Sequence, residues 1–263
     1  MTVSTYQFAF NGLTFGAGTP YIVENVDGLG GTSPLRIQDD NRGYIDGSYS
    51  GRDFYDGRTV TFDILITGDS THNAQYYYKT LQSAFAPQPL GYYVDPTGTT
   101  PAANQLQLFQ FQLTSDTGPK RMYGRGRGVT LSITPEFGFG YIMCRAEFFF
   151  PDPRYYDETA TTSSGSVSNT GWATSCPVIT IASPSSSGNI TDGTTTMYFA
   201  NVSSGTGALT IDLLQRVIYL GGTPFRNLMT PASTGWLAIA PNSSATWTST
   251  VGSMSITWRN AYI

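Results

Sequence analysis

Acidic and basic side chains alternate closely in one stretch near the N-terminus, QDDNRGYIDGSYSGRDFYDGR. Its acids are Asp39, Asp40, Asp46, Asp53 and Asp56, and its bases are Arg42, Arg52 and Arg58. A glycosidase requires two facing carboxyl groups, and a calcium loop requires alternating oxygen ligands closed by a glutamate. Here the acids adjoin glycines in Asp-Gly turns and are interleaved with arginines, so turn and salt-bridge roles explain them without chemistry.

The most basic stretch is KRMYGRGRGV, residues 120–129. In a strand that ran unbroken to residue 133, one face would carry Arg121, Tyr123, Arg125, Arg127 and then Val129. Such a row could follow a phosphate backbone, but the net charge of −4 and the pI of about 4.9 have the wrong sign for that partner. Arginine with aromatic residues is what protein–protein interfaces enrich. We therefore predict an interface strand and no nucleic-acid recognition.

Histidine and cysteine are scarce in this chain. His72 is the only histidine, which removes most zinc sites and most histidine-based catalysis. The spacing of Cys144 and Cys176 matches neither a disulfide framework nor a metal site. We expect no catalytic residue, no cofactor and no bound metal. A jelly-roll glycosidase that uses two of the aspartates is the enzyme alternative left open.

The four tryptophans all lie in the C-terminal half, at Trp172, Trp236, Trp247 and Trp258. Trp247 and Trp258 fall inside strand-like runs, so we assign them to the core. Trp172 and Trp236 are candidates for contact with a glycan, because an exposed indole can stack on a sugar.

The N-terminal half reads mainly as strands. TVTFDILIT, residues 59–67, alternates with one apolar face formed by Val60, Phe62, Ile64 and Ile66. LQLFQFQL, residues 106–113, changes phase between Leu108 and Phe109, which predicts a β-bulge. GVTLSIT and YIMCRAEFFF are further strand candidates.

One segment has a helical period instead. Its apolar residues are Ala74, Tyr77, Tyr78, Leu81, Ala84 and Phe85. This spacing predicts an amphipathic helix over about residues 71–86. Ser70 or Thr71 can cap its N-terminus, and Pro87 and Pro89 stop it.

The composition changes after residue 150. PDPRYYDETATTSSGSVSNTG, residues 151–171, is marked by prolines and then rich in Ser and Thr, which predicts a flexible boundary between domains 1–157 and 158–263. Seven short apolar runs follow, which is typical of an antiparallel β-sandwich. The runs are CPVITIA, TTMYFANV, ALTIDLL, RVIYLGG, GWLAIAP, SATWTST and SMSITWR.

No apolar run approaches the roughly 18 residues that span a bilayer, so we expect no membrane insertion. The N-terminal residues MTVSTYQFAF lack the pattern of a signal peptide. A chain that folds in a reducing cytosol fits these features best.

Several stretches resemble the distal tail proteins of siphophages, in order and over nearly the whole chain. They are FAFNGLTFGAGTPYIVENVDGLGG, RGYIDGSYSGRDFYDGRTVTFDILITG, YGRGRG, FFFPDPRYYD, LTIDLLQRVIYLGG, GWLAIAP and WRNAYI. The chain departs from the family at one turn. The family has PG.N after its tryptophan strand, where this chain has APNSSATW.

The resemblance implies a mainly β protein, with an N-terminal split-barrel domain that carries one helix and a C-terminal galectin-like antiparallel sandwich. It implies a structural virion protein of the tail tip, assembled in the host cytoplasm. Such proteins form a hexameric ring that joins the tail tube and tape measure proteins to hub and fibre proteins. A closed ring requires two different complementary faces on each subunit. Our candidates for them are Arg42, Asp46, Asp53, Arg58, Arg121, Arg125 and Arg127.

A second hypothesis is compatible with the first. A tail-tip protein can bind host-surface carbohydrate through its C-terminal sandwich, with Trp172 and Trp236 as the contact residues.

Overall fold

The computed structural model describes residues 3–31, 33–41, 46, 48–49, 51, 53–86, 106–132, 135–185, 187–202, 207–225 and 228–263. The chain divides between Tyr155 and Tyr156 into two compact units, here called the N-terminal and C-terminal units. Both are mainly β, as predicted, and the described residues contain one α-helix. That helix is too short and too polar to cross a membrane.

The N-terminal unit is built on seven antiparallel strands in the order β2-β1-β9-β10-β11-β8-β3, which do not close into a barrel. Two short ribbons, β4 with β7 and β5 with β6, stand apart from this sheet. The elements are β1 Gln7–Phe10, β2 Leu13–Gly16, β3 Tyr21–Asp27, β4 Leu35–Arg36, β5 Asp40–Asn41, β6 Ser48–Tyr49, β7 Phe54–Tyr55, β8 Arg58–Thr67, α1 Thr71–Ala84, β9 Gln107–Gln112, β10 Lys120–Ser132, a 3-10 helix Pro135–Phe139 and β11 Tyr141–Phe150.

The predicted alternation of β8 is confirmed. Its four apolar residues are fully buried in a core made largely of phenylalanines. The ring of Phe62 lies 5.2 Å from that of Phe8 and 5.7 Å from that of Phe109, centroid to centroid. Offset and edge-to-face aromatic pairs of this kind add to the stabilisation that burial provides.

Helix α1 closes one side of this core. It begins after Ser70, whose hydroxyl accepts a hydrogen bond from the Asn73 amide at 3.3 Å. Ala74, Leu81 and Ala84 face inward, and Phe85 follows as a buried C-terminal cap. The helix therefore ends slightly earlier than predicted. Pro87 and Pro89 lie outside the described residues.

The bulge predicted in β9 is wrong. β9 pairs with β1 and with β10 in continuous register. Its apolar residues change phase because both faces of the strand are covered: Phe109 and Phe111 face the main core, while Leu106 and Leu108 pack with Tyr123 in a second cluster. A strand buried on both faces loses the alternation of a half-buried strand.

The C-terminal unit consists of several antiparallel sheets around one core. A sheet of order β13-β23-β15-β18-β19-β20 is accompanied by the pair β14-β21 and the sheet β17-β16-β22. The strands are β12 Tyr155–Asp157, β13 Thr161–Ser163, β14 Ser166–Asn169, β15 Val178–Ile181, β16 Ser187–Thr191, β17 Thr196–Ala200, β18 Leu209–Asp212, β19 Val217–Leu220, β20 Thr223–Pro224, β21 Ser243–Thr246, β22 Thr248–Ser249, β23 Met254–Trp258 and β24 Ala261–Tyr262.

Two predictions for the C-terminal half need correction. GWLAIAP forms no strand, only an isolated bridge between Ile239 and Ser175. The segment 151–171, predicted to be flexible, contains β12, β13 and β14. This segment lacks a regular apolar pattern, and hydrogen bonds of the buried Asn169 side chain order it instead. The side-chain amide donates to the Ala173 carbonyl at 2.7 Å, and the side-chain oxygen accepts from the Gly171 amide at 3.0 Å.

The turn in APNSSATW has a residue in the left-handed backbone region. Asn242 has φ of 46°, and its amide donates to the Gly171 carbonyl at 2.9 Å. Asparagine adopts this conformation more readily than other non-glycine residues. Asparagine is therefore compatible with the backbone of this turn.

Candidate interaction surfaces

The glycines of YGRGRG allow β10 to pass close to the core. A side-chain carbon at Gly126 would lie 2.6 Å from the Phe85 carbonyl oxygen at the end of α1. At Gly124 it would lie 2.5 Å from the carbonyl oxygen of Phe149. The glycines are therefore required for packing, whatever the arginines between them do.

The four basic residues of this strand have different environments. Lys120 and Arg121 are buried, and the Arg121 guanidinium donates to the Tyr123 hydroxyl at 3.0 Å. Arg125 is half-buried and Arg127 is exposed. Arg121 is therefore poorly placed to contact another molecule, whereas Arg125 and Arg127 reach the surface.

The predicted face is interrupted after Arg127. The register between β10 and β11 shifts between Gly126 and Gly128, where Gly128 has φ of 123°. Because of this bulge, Val129 pairs with Ala146 and packs against the core, so it does not share the face of the arginines. An extra residue reverses the side-chain alternation beyond it.

The exposed side of β10 and β11 carries charged and aromatic groups, here called the arginine face: Arg125, Arg127, Arg145, Glu147 and Phe149. The Arg127 guanidinium lies 4.2 Å from the Phe149 ring centroid and 3.2 Å from a Glu147 carboxylate oxygen. Arg125 lies 5.8 Å from the same ring. Stacking fixes the guanidinium planes and leaves donors for a partner.

The alternating stretch 39–58 does not form one charged surface. Asp46 and Asp53 are exposed, and Arg42 lies outside the described residues. Asp39 and Asp56 accept hydrogen bonds from the amides of Gly51 and Gly57, as expected of turn residues. No group of potential metal ligands occurs among the residues that the structure describes.

Arg58 is not a surface residue: it is 1% exposed. Its guanidinium donates to the Leu29 carbonyl at 2.5 Å, the Gly31 carbonyl at 3.3 Å and the Ser33 hydroxyl at 2.7 Å. Burial lowers the pKa of this guanidinium. Arg58 therefore links Leu29, Gly31 and Ser33 to β8. Its assignment as a contact residue conflicts with this position.

The ribbon of β4 and β7, with the adjoining Ile37, exposes apolar side chains; it is here called the arm. Leu35 is 46% exposed, Ile37 65%, Phe54 38% and Tyr55 51%. In the sequence, acidic and basic residues dominate the composition around this ribbon. The sequence pattern that indicates this ribbon is the alternation of apolar and basic residues in LRI, which pairs with the aromatic residues Phe54 and Tyr55.

Neither Cys144 nor Cys176 is part of a disulfide bond. Burial, with a smaller contribution from Asp63, raises the pKa of the Cys144 thiol to about 12. A thiol of this kind is a poor nucleophile at neutral pH.

The assignment of Trp247 and Trp258 to the core is confirmed. Trp247 and Trp258 are buried in the C-terminal core. Trp172 is 59% exposed and lies edge-on to Tyr262, with ring centroids 5.2 Å apart. Trp236 is partly buried and lines a pocket of about 750 Å³ together with Arg216, Pro224, Phe225 and Met229. Trp172 does not line this pocket.

Two motifs of the family resemblance meet in the C-terminal unit. In WRNAYI, the buried Arg259 donates to the carbonyl oxygens of Asp157 and Glu158. The neighbouring Asn260 side chain donates to the Asp157 carboxylate at 2.8 Å. Asp157 ends the stretch PDPRYYD, so these motifs are structural partners.

No protein-family model matches this chain, and no curated protein matches it either. Among solved structures, it is similar to the crystal structure of the SPP1 Dit protein, described as a paradigm of the hub adsorption apparatus in phages that infect Gram-positive bacteria. The TM-score is 0.69 at 14% identity, and the match covers 99% of this chain and 100% of that chain. A chain of the phage P2 baseplate in its activated conformation with Ca gives a TM-score of 0.50 at 9% identity, covering 98% of both. The predicted distal-tail fold is thus confirmed.

Proposed function

We propose that this protein is a structural component of a phage tail tip, where it forms a ring that connects the tail tube to hub and fibre proteins. One observation carries the proposal: the likeness to the SPP1 Dit protein extends over both units and leaves almost no part of either chain unmatched. A likeness restricted to one sheet would support only a common β architecture.

The surface chemistry is compatible with assembly. The arginine face holds guanidinium groups beside an aromatic ring, with Glu147 paired to Arg127. Arginine and aromatic residues are enriched at protein interfaces. Each subunit of a closed ring presents two different complementary faces. We assign the arginine face to one of them.

The proposed ring is a hexamer of this 28.5 kDa chain. Its proposed neighbours are the tail tube and tape measure proteins on one side and the hub and fibre proteins on the other. The proposed site of action is the virion, with assembly in the host cytoplasm and no catalytic step.

The experiment that tests this proposal is mass measurement by native mass spectrometry, with negative-stain class averages of the same sample. We expect the wild-type chain to give a ring of six subunits. Arg125→Glu combined with Arg127→Glu places like charges beside Glu147, so we expect a folded chain that no longer assembles.

The matched control combines Lys79→Glu with Arg216→Glu, which reverses two other exposed charges. We expect this variant to retain the wild-type mass. Wild-type chain that stays monomeric, alone and with tail tube protein, would contradict the proposed function. Unchanged rings in the Arg125→Glu, Arg127→Glu variant would contradict the assignment of the arginine face alone.

A second candidate function, carbohydrate binding by the C-terminal unit, is favoured by the pocket beside Trp236. Its walls combine an indole and a phenyl ring with the Arg216 guanidinium, and such walls suit a sugar that carries an anionic group. Glycan-array binding by the full chain tests it. Binding that is lost in Trp236→Ala and kept in Trp172→Ala would support the pocket, and no binding by the wild-type chain would contradict it.

A further inference from the structure

Strand β3 carries a β-bulge at Glu24. β3 lies at one edge of the seven-stranded sheet, beside β8. Val23 pairs with Ile64, and the next pair is Asn25 with Asp63, so Glu24 is left out of the pairing. A bulge breaks the regular alternation of a strand and redirects the side chain of the extra residue. Glu24 is exposed here and lines a cleft of the N-terminal unit.

A tyrosine with an unusual backbone conformation lines the same cleft. Tyr6 has φ of 59°, which is rare for an aromatic residue. Its amide donates to the Gln112 carbonyl at 2.8 Å, and its carbonyl accepts from the Ala17 amide at 3.0 Å. These bonds hold the backbone while the side chain lines the cleft, and the residue is 57% exposed. Backbone strain that the surrounding structure maintains is concentrated at binding and catalytic sites.

The walls of the cleft are apolar. Its volume is about 490 Å³, and its apolar lining includes Phe8, Ile22, Val23, Val26 and Leu113. Ile22 is 43% exposed, which is high for a large aliphatic side chain. A contiguous apolar surface with polar groups at its rim is typical of an interaction site.

The negative charge of the cleft is not balanced locally. Among the residues that the structure describes, Glu24 is the one charged residue in the lining. Its carboxylate forms no hydrogen bond or ion pair within that part of the chain. The neighbouring Asp63 differs, because its carboxylate lies 3.5 Å from Arg145 and accepts a hydrogen bond from Asn25. Asp27, also on β3, adds a second exposed carboxylate.

A carboxylate and an aromatic ring above aliphatic walls are complementary to a lysine or arginine side chain. Such a side chain packs its apolar stem on aliphatic surface and keeps its cationic head outward. The head is attracted both to a carboxylate and to the face of a tyrosine ring. An edge strand such as β3 offers backbone donors and acceptors to an added extended segment. The matching partner is therefore an extended segment with a basic residue between apolar ones.

We propose that this cleft binds a basic, apolar, extended segment of another tail-tip protein, which adds as a strand beside β3. The lysine or arginine of the segment pairs with Glu24 and lies against the Tyr6 ring. The apolar neighbours of that residue cover Ile22 and Val26. The inference rests on the proposed function and names the chemistry of one partner contact.

Fluorescence polarisation with a labelled synthetic peptide tests the contact on the full chain. The probe alternates valine and threonine around one central lysine, and its matched control has glutamate in place of that lysine. We expect the lysine peptide to bind at least about tenfold more tightly than the glutamate peptide. Glu24→Arg should reverse this preference. Asp46→Arg should keep it, because Asp46 is exposed but does not line the cleft.

Tyr6→Asn separates binding from stability. Asparagine tolerates a left-handed backbone better than tyrosine does, so we expect an equal or higher midpoint of urea unfolding. The affinity for the lysine peptide should nevertheless fall about three- to tenfold, because the aromatic face is lost. A lower midpoint with unchanged peptide affinity would show that the Tyr6 ring only packs within the unit, and would overturn its role in binding.

The remaining outcomes separate this inference from the proposed function. Equal binding of the two peptides, or binding of neither, would overturn the inference, while rings in native mass spectrometry would leave the proposed function standing. A lysine peptide that binds but abolishes the ring would assign the cleft to a second copy and overturn the choice of partner. A monomeric wild-type chain that binds the lysine peptide through Glu24 would support the cleft chemistry and contradict the proposed function.

Discussion

Single atoms decide which residues β10 accepts. Gly124 and Gly126 lie where an added carbon would meet a carbonyl oxygen, and Gly128 has a backbone conformation that favours glycine. Arginine is accepted at 125 and 127 because those side chains point away from the core. The glycine–arginine repeat thus has two separate causes at alternate positions.

Gly126→Ala is expected to destabilise the N-terminal unit. Its new carbon would lie 2.6 Å from the Phe85 carbonyl oxygen and 2.8 Å from the Phe85 Cα, so the end of α1 must shift. Overpacking of this kind costs about 1–3 kcal/mol of unfolding free energy. Urea unfolding followed by circular dichroism measures it. Gly118→Ala is the control, because nothing lies within 4 Å of its added carbon, and equal stability losses in the two variants would refute the packing role.

Buried neutral acids should make the N-terminal unit sensitive to alkali. Burial raises the pKa of Cys144 from 9.0 to about 12 and that of Tyr21 from 10.0 to about 12. A raised pKa means that the folded state favours the neutral form. The resulting stability is complete below the unfolded pKa and is lost as the pH rises toward about 12.

We therefore expect the unfolding free energy to fall between pH 9 and pH 12, the range that these pKa values define. Cys144→Ala should reduce the slope of this fall. Urea titrations at a series of pH values measure the slopes. A slope that is the same in Cys144→Ala and in the wild-type chain would count against a buried neutral thiol.

At the scale of elements, strands and helices with a strong period could be predicted from sequence. Apolar and polar residues alternate in β8 because one face of the strand is buried. α1 has an N-terminal cap at Ser70 and a row of apolar residues on one face, and prolines follow it in the sequence. The register shift in β10 could not be predicted, because its glycines are compatible with both registers. Strands β13 and β14 were missed because their stability depends on hydrogen bonds of polar residues such as Asn169, which leave no hydrophobic period.

Among the candidate contact residues, too, the sequence predicted some positions correctly and others not. Arg125 and Arg127 are at the surface, as a pattern of basic and aromatic residues suggests. Arg58 is buried, because it bonds to the carbonyl oxygens of Leu29 and Gly31 and to the Ser33 hydroxyl. Backbone carbonyls have no sequence signature. The apolar arm was overlooked because the charges around it dominate the local composition.

At the scale of the whole molecule, two separate cores stabilise the chain. The core of the N-terminal unit contains Phe62 and several further phenylalanines. The core of the C-terminal unit contains Ile256 and Trp247. The core clusters share no residue. Each unit therefore has its own source of stability, as expected of a domain.

A core substitution should then loosen mainly the unit to which it belongs. Phe62→Ala and Ile256→Ala each empty a fully buried site, at a cost of about 2–5 kcal/mol. Amide hydrogen exchange with mass spectrometry reports local opening strand by strand. We expect Phe62→Ala to speed exchange in β8, β10 and β11, and Ile256→Ala to speed it in β15, β18 and β23, because these strands pair with the altered one or extend its sheet. If either substitution accelerated exchange equally in both sets, the two cores would behave as one cooperative unit and the division at Tyr155 would have no energetic meaning.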